Sequence, residues 1–157
     1  MMHDHDHDHD HCVADALTRA ASLCAERGAR LTDLRRQVFE LVLASHRPIG
    51  AYDLVASLGE LGGKPVAPQT VYRALDFLIE QGLVHRIASL NAFVGCSRPE
   101  VEHAGQFMIC TACNEVAELG DPETVATLVA HAGAQGFAVQ SVSVELTGTC
   151  AACRKPA

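Results

Sequence analysis

Two pairs of cysteines constrain this chain more than any other feature. CTAC at 110–113 and CAAC at 150–153 share a two-residue gap, and 36 residues separate the pairs. A gap of two lets both thiolates of a pair reach one ion from a single tight turn, and two such turns complete a tetrahedron with no open position. A closed four-thiolate set of Cys110, Cys113, Cys150 and Cys153 is structural, and zinc is the ion it suits. Any fold must then bring residue 110 beside residue 150. The competing chemistry is a dithiol switch, since CxxC can lower a thiol pKa and form a disulfide. Such a redox pair normally follows a strand and precedes a helix, whereas CTAC lies between two strand-like runs, QFMIC at 106–110 and VAEL at 116–119.

The chain's 157 residues make one domain or two small ones. Aromatics are 4% and Trp is absent, so Ala, Val and Leu must fill the core. No run approaches the roughly 18–20 apolar residues of a membrane span, and nothing near the start resembles a secretory signal. A soluble cytoplasmic protein is expected. In that reducing compartment seven cysteines read as metal ligands rather than disulfides. The net charge of −7 is unevenly spread: −4 in residues 1–11, +1 in 12–100 and −4 in 101–157. The middle stretch holds ten of the twelve basic residues and is the only one that approaches phosphate without net repulsion.

Residues 3–11 read HDHDHDHDH, a low-complexity tail at 1–11 that is expected to be disordered; it reads equally as a weak binder of zinc or nickel and as an expression tag or incidental tail. Helices follow at 13–27, from Thr32 as N-cap, and at 51–61 before Gly62-Gly63. Cys24 lies on the apolar stripe of the first and reads as core. Residues 68–82, PQTVYRALDFLIEQG, give the clearest helix, with Pro68 in the first turn and Gly82 at the end. Val71, Ala74, Leu75, Leu78 and Ile79 share one face. Gln69, Thr70 and Arg73 lie toward the N-terminal end and the acids Asp76 and Glu80 toward the other, the distribution of a helix that enters the major groove by its N-terminus. Two short β-prone runs, 83–88 and 91–95, come next, and the order of helices then hairpin is that of a winged helix-turn-helix. Arg86 on the hairpin is placed to meet a phosphate.

The reading is therefore α+β: a winged helix-turn-helix domain at 12–95, a hinge at 96–105 and a zinc-stapled α/β domain at 106–157. The last comprises strands at 106–110 and 116–119, a helix opened by Asp121-Pro122, and a strand at 137–146 that includes a bulge. It has few apolar residues and needs a staple, a partner, or both. A second donor set spans the joint. His85 on the wing, Cys96 at its end, His103 in the hinge and Glu118 on a strand supply one thiolate, two imidazoles and one carboxylate, a tetrahedral set suited to zinc.

TVYRALDFLIEQGLVHR at 70–86, followed by CTAC and CAAC, resembles the ferric uptake regulator family of bacterial metal-dependent repressors. The resemblance runs from about residue 13, and RLT at 30–32, GAYDL at 50–54 and MIC-x2-C place it nearest the zinc uptake branch. It implies a C-terminal dimerisation domain and a homodimer that binds double-stranded DNA at AT-rich palindromic operators of zinc-uptake genes when metal-loaded. It also implies that Tyr52 and Arg73 read bases, with two Zn²⁺ per protomer, one structural and one regulatory. Iron sensors carry an HHDH-like motif before the first CxxC; EHAGQFMIC here has a lone His103, and Cys96 favours zinc over iron or manganese. The expectation is a zinc-responsive repressor and not an enzyme. The alternatives are a repressor sensing iron or nickel, or a zinc-storage or redox protein built on the His tail and Cys pairs.

Overall fold

The computed structural model describes residues 9–45 and 47–154. The chain divides into two compact units, residues 1–100 and 101–157. In the first, α1 (His9–Glu26) and α2 (Asp33–Ala44) precede a short strand, β1 (Ile49–Gly50). Then come α3 (Ala51–Gly62), α4 (Pro68–Glu80), β2 (Val84–Ile87) and β3 (Ala92–Gly95). Thr32 caps α2, its hydroxyl accepting from Arg35 N–H at 3.5 Å, and Gly63 ends α3 at φ +62°. The wing is an antiparallel sheet in the order β1-β3-β2. A 3-10 turn, Ala88–Leu90, and Asn91 at φ +47° join β2 to β3. One apolar cluster from Leu17 to Phe93 holds the unit together, and Cys24 belongs to it. Burial raises the Cys24 thiol pKa, the state of an inert core residue.

The structure differs from the sequence reading at four points in this unit. Residues 9–11, assigned to the disordered tail, form the first turn of α1; no Pro or Gly interrupts them, and extending an existing helix costs little. The remainder of the tail, residues 1–8, lies outside the described residues. On α4, Ile79 is exposed and Phe77 takes the inner position, because the buried arc centres on Leu75 and Leu78. Leu61, the last residue of the helix expected at 51–61, is exposed near the end of α3. β1 went unforeseen because two residues carry no periodicity.

The second unit contains β4 (Gly105–Cys110), β5 (Val116–Glu118), α5 (Pro122–Ala134) and β6 (Ser143–Gly148). β4 is central, antiparallel to β5 and parallel to β6. Asp121 caps α5, accepting from Glu123 N–H and from the Thr124 hydroxyl. The last strand begins at residue 143, not 137. Its ladder starts opposite Gly105, so among the described residues, 137–142 have no partner strand and no bulge is needed. It also runs on to Gly148, beyond the apolar run. Phe107, Ile109 and Cys110 are buried, but α5 buries no residue fully, and Met108 (43% exposed), Leu146 (50%) and Leu128 (49%) remain open. Met108 and Leu146 are register partners, so an apolar patch on one face of this sheet is uncovered within the unit.

Candidate metal centres and nucleic-acid interface

Strand register builds the thiolate site. β4 delivers Cys110 at its end, and Cys110 N–H donates to Glu115 O at 2.9 Å, with Asn114 at φ +59° turning the chain back. Because β6 runs parallel with Cys110 opposite Gly148, the chain leaves β6 beside that turn, and Thr111 N–H donates to Gly148 O at 2.8 Å. Two residues on, Cys150 N–H donates to Cys110 Sγ at 3.3 Å. The second knuckle closes through Cys153 N–H to Cys150 O at 3.1 Å. The Sγ atoms of Cys110, Cys113, Cys150 and Cys153 all lie within 4.8 Å of one another, and those of Cys113 and Cys150 are 3.9 Å apart. A tetrahedral ion with thiolates at about 2.3 Å needs sulfurs about 3.8 Å apart, so the arrangement fits zinc closely.

The thiol chemistry agrees. Donation from the backbone N–H of Cys150, with help from those of Cys113 and Ala112, lowers the Cys110 pKa to about 6. The Glu115 backbone pulls Cys113 down, yet its contact with the Cys110 thiol and burial leave it raised. Cys153 is pushed up to about 12, first by its Cys150 neighbour and then by Cys113. One thiolate forms readily and its neighbours resist further negative charge. A dication among them removes that resistance.

The second donor set is described in two halves, one in each unit. In the first unit His85 lies on β2 opposite Val94, and Cys96 follows β3, its N–H donating to Leu83 O at 2.9 Å. A ring nitrogen of His85 and the Cys96 sulfur lie within 4.8 Å of each other. Cys96 Sγ also accepts from Arg98 N–H at 3.4 Å. In the second unit His103 Nε2 is 2.6 Å from Glu118 Oε1, and both side chains are shielded from solvent. His103 Nδ1 is 2.7 Å from Val101 O. A carbonyl only accepts, so Nδ1 carries a proton and Nε2 turns toward the carboxylate. A histidine whose far N–H rests on a backbone carbonyl is oriented as metal-binding histidines usually are. Spacing gave no sign of Val101, because its contribution is a main-chain oxygen.

On the first unit, Gln69, Arg73 and Arg86 are exposed, Thr70 is half-buried, and Tyr52 on α3 is 73% exposed. Among the described residues Arg73 makes no ion pair. Arg86 donates to Asn91 Oδ1 at 2.9 Å, which ties it across the tip of the wing. The inner face of α4, carrying Val71, Ala74, Leu75 and Leu78, is committed to the core, so Gln69 and Arg73 can only face outward.

A winged helix-turn-helix unit followed by a small sheet closed by four thiols defines a metal-binding regulator of the winged-helix class. The sequence profile of the ferric uptake regulator family matches residues 26–147, and the chain belongs to that family. It is 40% identical over 144 residues to the zinc uptake regulation protein of Escherichia coli, covering 88% of this chain and 81% of that one. A zinc uptake regulator complexed with zinc and DNA superposes with a TM-score of 0.85 at 37% identity, over 90% of this chain and 94% of the other. The holo form of XcZur gives 0.82 at 41% identity, over 88% and 96%. Among the described residues, no helix is long and apolar enough to cross a membrane.

Proposed function

We propose that this protein is a cytoplasmic, zinc-responsive transcriptional repressor that binds palindromic, AT-rich operators of zinc-uptake genes as a homodimer. Cys110, Cys113, Cys150 and Cys153 hold a structural zinc; His85, Cys96, His103 and Glu118 hold a regulatory one, two ions per protomer. The observation that carries the reading is a pair of half-sites outside the thiolate clamp, His85 with Cys96 in the first unit and His103 with Glu118 in the second. Their mixed thiolate, imidazole and carboxylate donors suit zinc. The names of the similar proteins, with zinc and DNA together in one of them, support the same assignment. The open face of Met108 and Leu146 supports a second copy as its cover.

Zinc at His85, Cys96, His103 and Glu118 joins ligands from both sides of the hinge at residues 96–105. It selects the arrangement in which two copies of α4 meet two half-sites. Arg73 and Tyr52 read base edges, Gln69 and Thr70 sit at the entering end of α4, and Arg86 meets phosphate. The test is a titration of operator binding with zinc, iron(II) and nickel, on the wild type and on Cys96→Ser. Zinc should be the effective ion, and Cys96→Ser should lose zinc-dependent binding while remaining a folded dimer with one retained zinc. A Cys96→Ser protein that unfolds would refute the division into structural and regulatory sites, and a stronger response to iron would replace the metal.

A further inference from the structure

Both α1 and α4 end in the same way. Gly28, at φ +68°, donates its N–H to Ala25 O at 3.1 Å, and Ala29 N–H reaches back to Cys24 O at 2.8 Å. Gly82, at φ +67°, donates to Ile79 O, and Leu83 N–H reaches back to Leu78 O, both at 2.9 Å. These are Schellman closures, in which a left-handed glycine lets two N–H groups turn back onto the last turn. Arg27 and Gln81 are therefore the C-cap residues, each with its backbone fixed by the motif.

Arg27 joins these caps to a third element. Its Nη1 donates to the Gln81 carbonyl, and its Nη2 donates to Pro99 O at 3.0 Å. The Gln81 carbonyl is among the helix-end acceptors that a Schellman closure leaves open, and a cation there opposes the negative end of the α4 dipole. Pro99 stands three residues after Cys96, whose own N–H is held by Leu83, two residues beyond Gln81. Glu100 is tied to Arg19 at 3.6 Å, an exposed pair of little weight. The segment that begins with Cys96 is thus fastened twice to the C-terminal end of α4, once by Leu83 and once through Arg27. A planar guanidinium on a fixed cap presents separate donors to the two carbonyls in one fixed geometry; a lysine offers a compact charge on a flexible stem.

We propose that Arg27 is the positioning residue that couples zinc occupancy to the recognition helix. By bonding Gln81 and Pro99 together it transmits ordering of the Cys96 segment to the end of α4. The inference rests on the regulatory zinc reading, with Cys96 as a ligand.

The test uses the full-length protein and a duplex selected from a random-sequence pool with zinc-loaded wild type. Duplex affinity is measured with the regulatory zinc present and after mild chelation, and zinc affinity is measured with and without duplex. Arg27→Ala should keep wild-type zinc content and chelated-state affinity, while its zinc-induced gain in duplex affinity falls by roughly fivefold or more, within the usual range of coupling between sites. By reciprocity, the duplex-induced gain in zinc affinity must fall by the same factor. Arg27→Lys, which keeps the charge, should retain an intermediate gain, and it carries the test if the alanine variant misfolds. In a Cys96→Ser background Arg27→Ala should add no further loss.

A wild-type gain in both Arg27 variants would overturn the proposal. So would an equal loss with and without zinc accompanied by a shallower salt dependence, the mark of a plain phosphate contact. Additive losses with Cys96→Ser would also overturn it. Wild type lacking any zinc-induced gain would sink the zinc-responsive reading, and the coupling role with it.

Discussion

Removing the terminal knuckle by the double substitution Cys150→Ser and Cys153→Ser should unfold residues 101–157 while leaving residues 1–100 folded. The second unit's buried apolar side chains, among the described residues, are Phe107, Ile109 and Cys110. Full burial is worth roughly 1.5–3 kcal/mol each for Phe107 and Ile109, so about 3–6 kcal/mol for the two. Structural zinc contributes an apparent binding free energy of about 10–16 kcal/mol in small four-ligand sites. The clamp therefore outweighs the unit's own core, and no rearrangement of three strands and one helix replaces it. The first unit has a separate apolar cluster running from Leu17 to Phe93 and holds none of the four cysteines. Hydrogen exchange read by mass spectrometry, with zinc counted per protomer, distinguishes the two units. Amide protection should vanish across Gly105–Cys110 and Ser143–Gly148 and persist across Pro68–Glu80. Wild-type protection across Gly105–Cys110 in the double variant would refute the clamp. Loss of protection in Pro68–Glu80 as well would refute the independence of the units.

Two further outcomes follow from single side chains. Arg73→Ala should lose about 1–3 kcal/mol of discrimination for the specific duplex, a loss of roughly 5- to 150-fold in competition against random DNA, with zinc content unchanged; unchanged specificity would remove Arg73 from base reading. Asp121→Ala should lower the melting temperature of the second unit at neutral pH through loss of the α5 cap. The Asp121 pKa is lowered, first by the Thr124 hydroxyl and then by the Glu123 N–H. Its folded value thus lies below the ordinary 3.8, and its stabilisation is complete above that value and disappears as pH falls through the folded pKa. The difference between wild type and variant should accordingly close in strong acid; a difference that stays constant from neutral to strongly acidic pH would refute the cap.

Most of the fold was legible because its signals are local. Pro68 and Gly82 bracket α4, Thr32 and Asp121 cap α2 and α5, and the two-residue gap in each cysteine pair dictates a knuckle. What escaped depends on distant partners. β1 exists only because β3 lies beside it, pairing Ile49 with Phe93. The true start of β6 is fixed by the length of β4, since residues 137–142 have the composition of a strand and nothing to pair with. Phe77 and Ile79 are two positions apart on α4, and Arg35, whose guanidinium stacks 3.6 Å from the Phe77 ring centroid, covers the inner one. Of the candidate sites, donor types and spacing were readable, while Val101 O and the Gln81 and Pro99 carbonyls were not, because a carbonyl has no residue signature.

The two donor sets differ in where their ligands lie, and this decides what each can do. All four thiols belong to residues 101–157 and sit on the ends of two paired strands. An ion there would strengthen a register that the sheet already specifies, and its loss is expected to unfold the unit rather than switch it between states. His85 and Cys96 belong to the first unit, His103 and Glu118 to the second. Neither pair completes a tetrahedron alone, and each half is held by bonds inside its own unit: Cys96 by Leu83, His103 by Val101. On the proposed assignment, both units should therefore stay folded when an ion at these four residues leaves. A ligand can shift an equilibrium only by its difference in affinity between the two states. Under the proposed regulatory role a split set would supply that difference, because an ion that needs donors from both pairs distinguishes a state that offers all four from one that offers a single pair.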